Sequence, residues 1–313
     1  MEKGKISVVI STYNRKTFID TAIASVLMQT DQNYEILICD DCSTDGTYEY
    51  VQEKYKDNDK VKFHRNEHNM GLGENRRNIV PKMVSGEYVV FLDDDDKFLT
   101  NDYFEKAVAL FEKYGNLSIV ACNHYVHDTM NDTRTPFDLG YEEIIDNREF
   151  FLNFGSEKFR KPIASDTIFS MKALEDSHYT DMKILIDTTL FLRTLTQGPA
   201  GFVREYCLEY LVHGGNMSFN CSLAFILDNL NEKMKIYRQL DDLCDFDFND
   251  EEKAKWLADQ LDITIIYYIR GSLPNYIDFV KLLIWYKKNV NNKEKMKEFK
   301  RVYKEAKKKG KQI

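Results

Sequence analysis

The first 126 residues alternate between two hydrophobic periods. Apolar runs of strand length occur at "KISVVIST" (5–12), "YEILICDD" (34–41), "KVKFHRN" (60–66), "SGEYVVFLDDDD" (85–96) and "LSIVACNHYV" (117–126). Between them the period lengthens to that of a helix. In "TFIDTAIASVLMQT" (17–30), Ile19, Ile23, Val26 and Leu27 share one face. "STDGTYEYVQEKY" (43–55) offers Ser43 or Thr44 as an N-cap, and "GLGENRRNIVPKMV" (71–84) carries Pro81, expected to bend or shorten its helix. "NDYFEKAVALFEKYG" (101–115) ends on Gly115, a good left-handed terminator. Near-continuous apolar strands alternating with helices predict an α/β fold, a mainly parallel sheet flanked by helices.

Beyond this the pattern changes twice. Residues 123–220 read as irregular polar loops, with a helix opening at Asp187 and a glycine-rich "VHGGNMSF" (212–219). From 223 onward four amphipathic helical segments follow, 225–240, 252–271, 275–289 and 293–310. The expected organisation is a first domain over 1–222 and a helical region over 223–313.

In open α/β sheets ligands bind beyond the carboxyl ends of the strands. That rule directs attention to "STYNR" (11–15), "DDCSTDG" (40–46) and "DDDD" (93–96), which should line one rim. Four adjacent carboxylates raise one another's pKa and are costly unless a cation compensates. Hard oxygen donors suit Mg2+ or Mn2+. Were the segment extended, Asp93 and Asp95 would share one side and Asp94 and Asp96 the other. The competing reading is a solvated acidic loop before the helix that starts near Asn101.

Composition narrows the picture modestly. With 43% apolar and 30% charged residues the chain is an ordinary folded protein. The N-terminal apolar stretch is too short for a signal peptide, and no uncharged run approaches the roughly 18 residues of a membrane helix. A cytoplasmic protein is therefore expected, peripheral at the inner face of a membrane at most. Residues 287–311 hold twelve Lys/Arg against three Glu, so the net charge of -8 hides a strongly acidic body, which argues against nucleic acid. Cys39 and Cys42 form the sole C-x-x-C; without a second pair they are expected to be reduced thiols at a strand end.

As a set, "KISVVISTYNR", "EILICDDCSTDGT", "NMGLGENRRNIV", "SGEYVVFLDDDD" and Asp187 resemble the family 2 glycosyltransferases of the GT-A, nucleotide-sugar-binding fold, clearly over about 5–96 and more weakly to about 220. The resemblance implies an inverting, metal-dependent sugar transfer from a nucleotide diphosphate, UDP favoured, to an acceptor hydroxyl in bacterial surface glycan synthesis. It implies Tyr13 near the base with Ser11 and Thr12 at the strand end, and Asp41, supported by Asp40, accepting from the uracil N–H. Arg77 would contact the nucleotide or diphosphate, Asp93 the ribose with Asp94 beside it, and Asp95 the Mn2+ or Mg2+, with Asp96 as the alternative. Asp187 would be the general base, His213 would touch metal or diphosphate, and Ser218 would assist. Expected partners are the donor and a glycan or lipid-linked acceptor. The basic amphipathic helix bearing Met296, Phe299, Tyr303 and Ala306 would serve membrane contact, self-association or packing on its own domain. The rival readings are nucleotidyl transfer, which lacks its usual glycine-rich loop after the first strand, and a non-catalytic nucleotide-sugar-binding scaffold.

Overall fold

The computed structural model describes residues 1–156, 159–183, 185–216 and 221–310. The chain forms two compact units: Met1–His213 with Leu240–Asp247, and Gly214–Gln239 with Phe248 onward.

The first unit opens with the expected alternation: β1 (Glu2–Thr12), α1 (Ile19–Leu27), β2 (Tyr34–Asp40), α2 (Thr47–Tyr55), β3 (Val61–Arg65), α3 (Leu72–Met83) and β4 (Gly86–Asp93). There follow β5 (Lys97–Phe98), α4 (Tyr103–Tyr114), β6 (Ile119–Asp128), β7 (Thr133–Phe137), β8 (Ile144–Ile145) and α5 (Asn147–Asn153). The unit continues with β9 (Thr167–Ser170), α6 (Met171–Asp176), α7 (Asp187–Thr194) and β10 (Ala200–Val212). One sheet runs β3-β2-β1-β4-β9-β6-β10-β5, with β7 paired to β6 and β8 to β10. The long pairings β1–β2, β1–β4, β2–β3 and β6–β10 are parallel. Ile6, Val8, Ile10, Ile36, Ile38, Val90 and Leu92 are buried with the inner faces of α1 and α4, so burial of strand side chains holds the sheet and its helices together.

Two details depart from expectation, and the strand order adds a third that the sequence pattern left open. The fourth and fifth predicted strands are not neighbours: β9 lies between β4 and β6, antiparallel to both. Ser43 and Thr44 do not cap α2, which begins four residues after Ser43 behind a left-handed Gly46. Those residues are held in a loop instead, with the Thr44 N–H donating to Asn14 Oδ1 and the Asn14 N–H to Ser43 Oγ. Pro81 does not end α3, which continues to Met83. It sits in the last turn, so its missing N–H removes one hydrogen bond near the helix end and the helix stops two residues later.

The second unit is helical: α8 (Leu223–Leu243, its last turn counted with the first unit), α9 (Asp250–Tyr267), a π-helical turn Tyr268–Ser272, α10 (Tyr276–Asn289) and α11 (Lys293–Lys309). Asn249, Asn275 and Asn292 cap α9, α10 and α11 through side-chain oxygens, each cap contributing about 1 kcal/mol. Phe279, Leu282, Leu283 and Tyr286 of α10 meet Phe299, Val302, Tyr303 and Ala306 of α11 in its core. The apolar face of α11 is therefore spent on its own unit. No described helix is long and apolar enough to cross a membrane.

Candidate active site

Register alone brings the polar clusters together. Thr12 lies opposite Asp40 on β2, and Ser11 opposite Asp93 on β4. The carboxyl ends of β1, β2 and β4 thus form one rim, where the crevice of such a sheet lies.

The four aspartates do not continue the strand. The Asp96 N–H donates to the Asp93 carbonyl at 3.1 Å, closing a turn. Turning rather than extending brings Asp96 to the side of Asp93 and Asp95 and sends Asp94 the other way, which corrects the alternation expected from an extended chain. Carboxylate oxygens of Asp93, Asp95 and Asp96 lie within 4.8 Å of one another. Asp94 instead accepts from Thr12 Oγ1 at 2.6 Å. Pairing of β5 with β10 presses this turn against β10, whose Leu211 N–H donates to Asp96 Oδ1 at 3.0 Å. The other oxygen, Asp96 Oδ2, is buried with no hydrogen-bond partner. Burial raises the Asp93 carboxyl to about 6 against the pull of Arg76, with Asp187 and Asp95 adding to the rise. Burial also raises Asp94 to about 7 and Asp96 well above the usual range. Three converging hard oxygen donors, one of them orphaned, fit a divalent cation such as Mg2+ or Mn2+.

The same β10 edge delivers His213, whose Nε2 lies 2.8 Å from Asp95 Oδ2 and whose ring stacks on Phe18 at 5.0 Å. Arg15 Nη1 approaches the same nitrogen at 3.4 Å.

On the opposite side stands Arg76. It is 1% exposed, packed over the Phe91 ring at 5.3 Å, and forks between two acids. Nη2 donates to Asp93 Oδ1 at 2.6 Å and Nη1 to Asp187 Oδ1 at 3.4 Å. Arg77, the residue expected to reach the nucleotide, lies one position further round α3 and pairs with Glu74 on the helix surface at 3.6 Å. The distinction was readable from period: Gly73, Arg76, Ile79 and Val80 share the buried face of α3. Asp187 opens α7 with its side chain 44% exposed. Its Oδ2 accepts from the Ala164 N–H at 3.3 Å, and neighbouring Ser165 Oγ accepts from the Asp93 N–H at 3.0 Å. Sequence reading passed over Ala164 and Ser165, because a backbone donor and a lone serine in an irregular loop leave no periodic mark.

The β1–β2 side of the rim is built from interlocked loops. Asp41 Oδ1 accepts from Asn66 Nδ2 and the Met70 N–H, both at 2.9 Å, and Oδ2 accepts from the Gly71 N–H at 2.7 Å. Gly71, at φ 82°, lets two successive amides face one carboxylate. Asp40 is fully buried; its Oδ2 accepts from the Ser43 N–H at 2.9 Å, while Oδ1 has no partner and burial raises its carboxyl. Ser11 Oγ is likewise buried without a partner, whereas the Tyr13 ring is 44% exposed at the end of β1. Cys39 is buried and Cys42 partly so, and neither is in a disulfide. Ser218 lies outside the described residues.

Comparison with known proteins identifies the family. The family model "Glycosyl transferase family 2" matches residues 7–179. An uncharacterized glycosyltransferase of Haemophilus influenzae is 26% identical over 264 residues, 74% of this chain and 88% of that protein. A Campylobacter jejuni GalNAc(5)-diNAcBac-PP-undecaprenol beta-1,3-glucosyltransferase is 37% identical over 127 residues, 36% of this chain and 41% of its own length. Among solved structures, S. aureus TarS residues 1–349 in complex with UDP-GlcNAc shares the fold at a TM-score of 0.67 and 18% identity, covering 98% of this chain and 92% of that one. The chain belongs to glycosyl transferase family 2, and with it to the glycosyltransferases.

Proposed function

We propose that the chain transfers a sugar, with inversion, from a UDP-sugar to a hydroxyl of a growing bacterial surface glycan. The observation that carries this reading is the convergence of Asp93, Asp95 and Asp96 in one turn, joined through Arg76 to the half-exposed carboxylate of Asp187. The UDP-GlcNAc bound to TarS and the glucosyltransferase activity named for the Campylobacter relative support the donor class.

In this reading Asp93, Asp95 and Asp96 would hold Mn2+ or Mg2+, with His213 orienting Asp95. Such an ion, when bound, supplies Lewis-acid stabilisation of the charge that develops on a leaving diphosphate. The remaining work falls to the chain itself. Tyr13 offers a ring face to the base, and Asp41 Oδ2, with one N–H already bound, keeps acceptor capacity for a base N–H. Arg76, rather than Arg77, sets the distance between the nucleotide side and the acceptor side by gripping Asp93 and Asp187 together. Asp187 takes the proton of the acceptor hydroxyl as that oxygen attacks the anomeric carbon from the face opposite the diphosphate. Arg76 Nη1 and the Ala164 N–H fix its orientation.

A screen of UDP-, GDP- and dTDP-sugars by thermal shift, with and without Mn2+, followed by transfer assays on the stabilising donor, tests the reading. UDP-sugars are expected to raise Tm only in the presence of the metal, since stabilisation follows affinity. Stabilisation by another nucleotide class alone, or equal stabilisation without metal, overturns the donor or the metal assignment respectively.

A further inference from the structure

With its apolar face buried, α11 cannot lay that face on a membrane, but its partner in the hairpin presents one. On α10, Phe279, Leu282, Leu283 and Tyr286 point into the core. The opposite line is Ile277, Lys281, Ile284 and Lys288, spaced four, three and four residues apart. Ile277 is 66% exposed and Ile284 62% exposed, with Tyr276 exposed beside them. Together they form an apolar strip along a helix that Asn275 caps, lying beside a lysine-rich flank.

Charge indicates what meets this strip. Between Tyr276 and Gly310 there are twelve Lys/Arg against four Asp/Glu, and on α11 the acids are confined to one line. Lys293, Lys297, Lys300, Lys304 and Lys307 recur at helical spacing along an all-lysine flank, while the three acids, Glu294, Glu298 and Glu305, share the neighbouring line with Arg301 and Lys308, and Glu294 pairs with Lys297 and Glu305 with Arg301. Lys295, on the glutamate side, pairs with Asp262 of α9 and with Glu298. Tyr303 stacks on Phe279 of α10 at 4.0 Å, and Phe299 meets Tyr286 edge-on at 5.0 Å. The glutamate line therefore borders α9, and the lysine row borders α10 and its exposed isoleucines. Lys287, Lys288, Lys293, Lys300 and Lys304 have no ion-pair partner among the described residues.

We propose that the α10–α11 hairpin is a docking surface for an anionic lipid bilayer, with Ile277 and Ile284 entering the headgroup boundary and the α11 lysine row meeting the lipid charge. Interleaved lysine and aliphatic residues suit a membrane interface, where lysine stems bury and their heads reach the phosphates. The core of a protein interface, by contrast, is depleted in lysine. A second copy of this chain is disfavoured, because a two-fold contact would set one lysine row against another. The proposal does not depend on which donor or acceptor the active site uses.

The test is co-sedimentation of the full chain with vesicles of phosphatidylcholine alone or of an equimolar mixture with phosphatidylglycerol, at low and high salt. Pelleting is expected with the anionic vesicles and to be lost at high salt. I277D/I284D should weaken it tenfold or more. K300E/K304E should weaken it by at least the roughly fivefold expected for each basic residue near an anionic surface. Unchanged thermal melts of these exposed-site variants establish that they fold. Equal pelleting with both vesicle types, no pelleting, or pelleting unaffected by the two variants overturns the proposal. So does sedimentation velocity showing a dimer that I277D/I284D dissociates without any vesicle binding, which would assign the face to a second copy.

Discussion

Arg76 Nη2 lies 2.6 Å from Asp93 Oδ1 in a pocket closed to solvent on the arginine side, and the same guanidinium reaches Asp187. A planar fork does this well, since its donors are fixed in direction and never lose their proton. One buried cation thus ties the last residue of β4 to the first residue of α7, elements 94 positions apart in sequence.

If Arg76 sets that distance, Arg76→Lys should reduce transfer by roughly 10² or more, because a point charge cannot bridge both acids. Arg77→Ala should stay close to wild type. Initial rates on a saturating donor, beside thermal melts for both variants, check this. Comparable losses in the two variants would remove the distinction.

Asp187→Asn should leave donor affinity near normal while transfer falls by roughly 10² or more, the usual size of a general-base contribution. Calorimetry for UDP binding and single-turnover rates separate the two effects. Loss of UDP affinity with intact turnover of bound donor would assign Asp187 to binding instead.

Asp95→Ala removes a carboxylate from the cluster and leaves His213 without its acceptor. The Mn2+-dependent UDP affinity should disappear in calorimetry. Retention of the metal-dependent part would shift the ion onto the other two aspartates.

At the opposite end of the sheet, Glu35 supplies a pH signature. Its buried carboxylate accepts from Ser7 Oγ, Ser85 N–H and Oγ, and Lys62 Nζ, which together hold its pKa at about 2 despite burial. The folded value lies below the unfolded one of 4.5. The stabilisation is therefore complete above about pH 4.5 and is lost as pH falls toward 2. It amounts to at most about 3 kcal/mol by linkage, less for the half-exposed Lys62 partner. Urea midpoints between pH 7 and 2.5 should fall more steeply for wild type than for Glu35→Gln. Parallel slopes would dismiss the clamp.

Strands, their shared rim and the C-terminal helices were legible because each rests on a period running through many residues. The acidic run was legible as chemistry but not as shape, since one Asp96-to-Asp93 turn bond decides which carboxylates meet. Arg76 against Arg77 was a question of helical phase, answerable from Ile79 and Val80. The segment between β6 and α7 stayed unreadable for another reason. Its strands are two to five residues long, and β9 takes its place from long-range pairing with β4 and β6 rather than from its own pattern.

That short strand has a practical corollary for engineering. The chain leaves the sheet along β6 and re-enters on β9, which is hydrogen-bonded to β6 through Ile119, Val120 and Ala121. The excursion from Thr129 to Ile163 therefore departs from and returns to adjacent strands, like a cassette clipped at both ends to one rail. Within it β7 pairs with β6, β8 pairs with β10, and Phe150, Phe151 and Phe154 are buried, so a graft between homologues must carry these sheet and core residues together while Ala164 and Ser165 stay with the recipient scaffold.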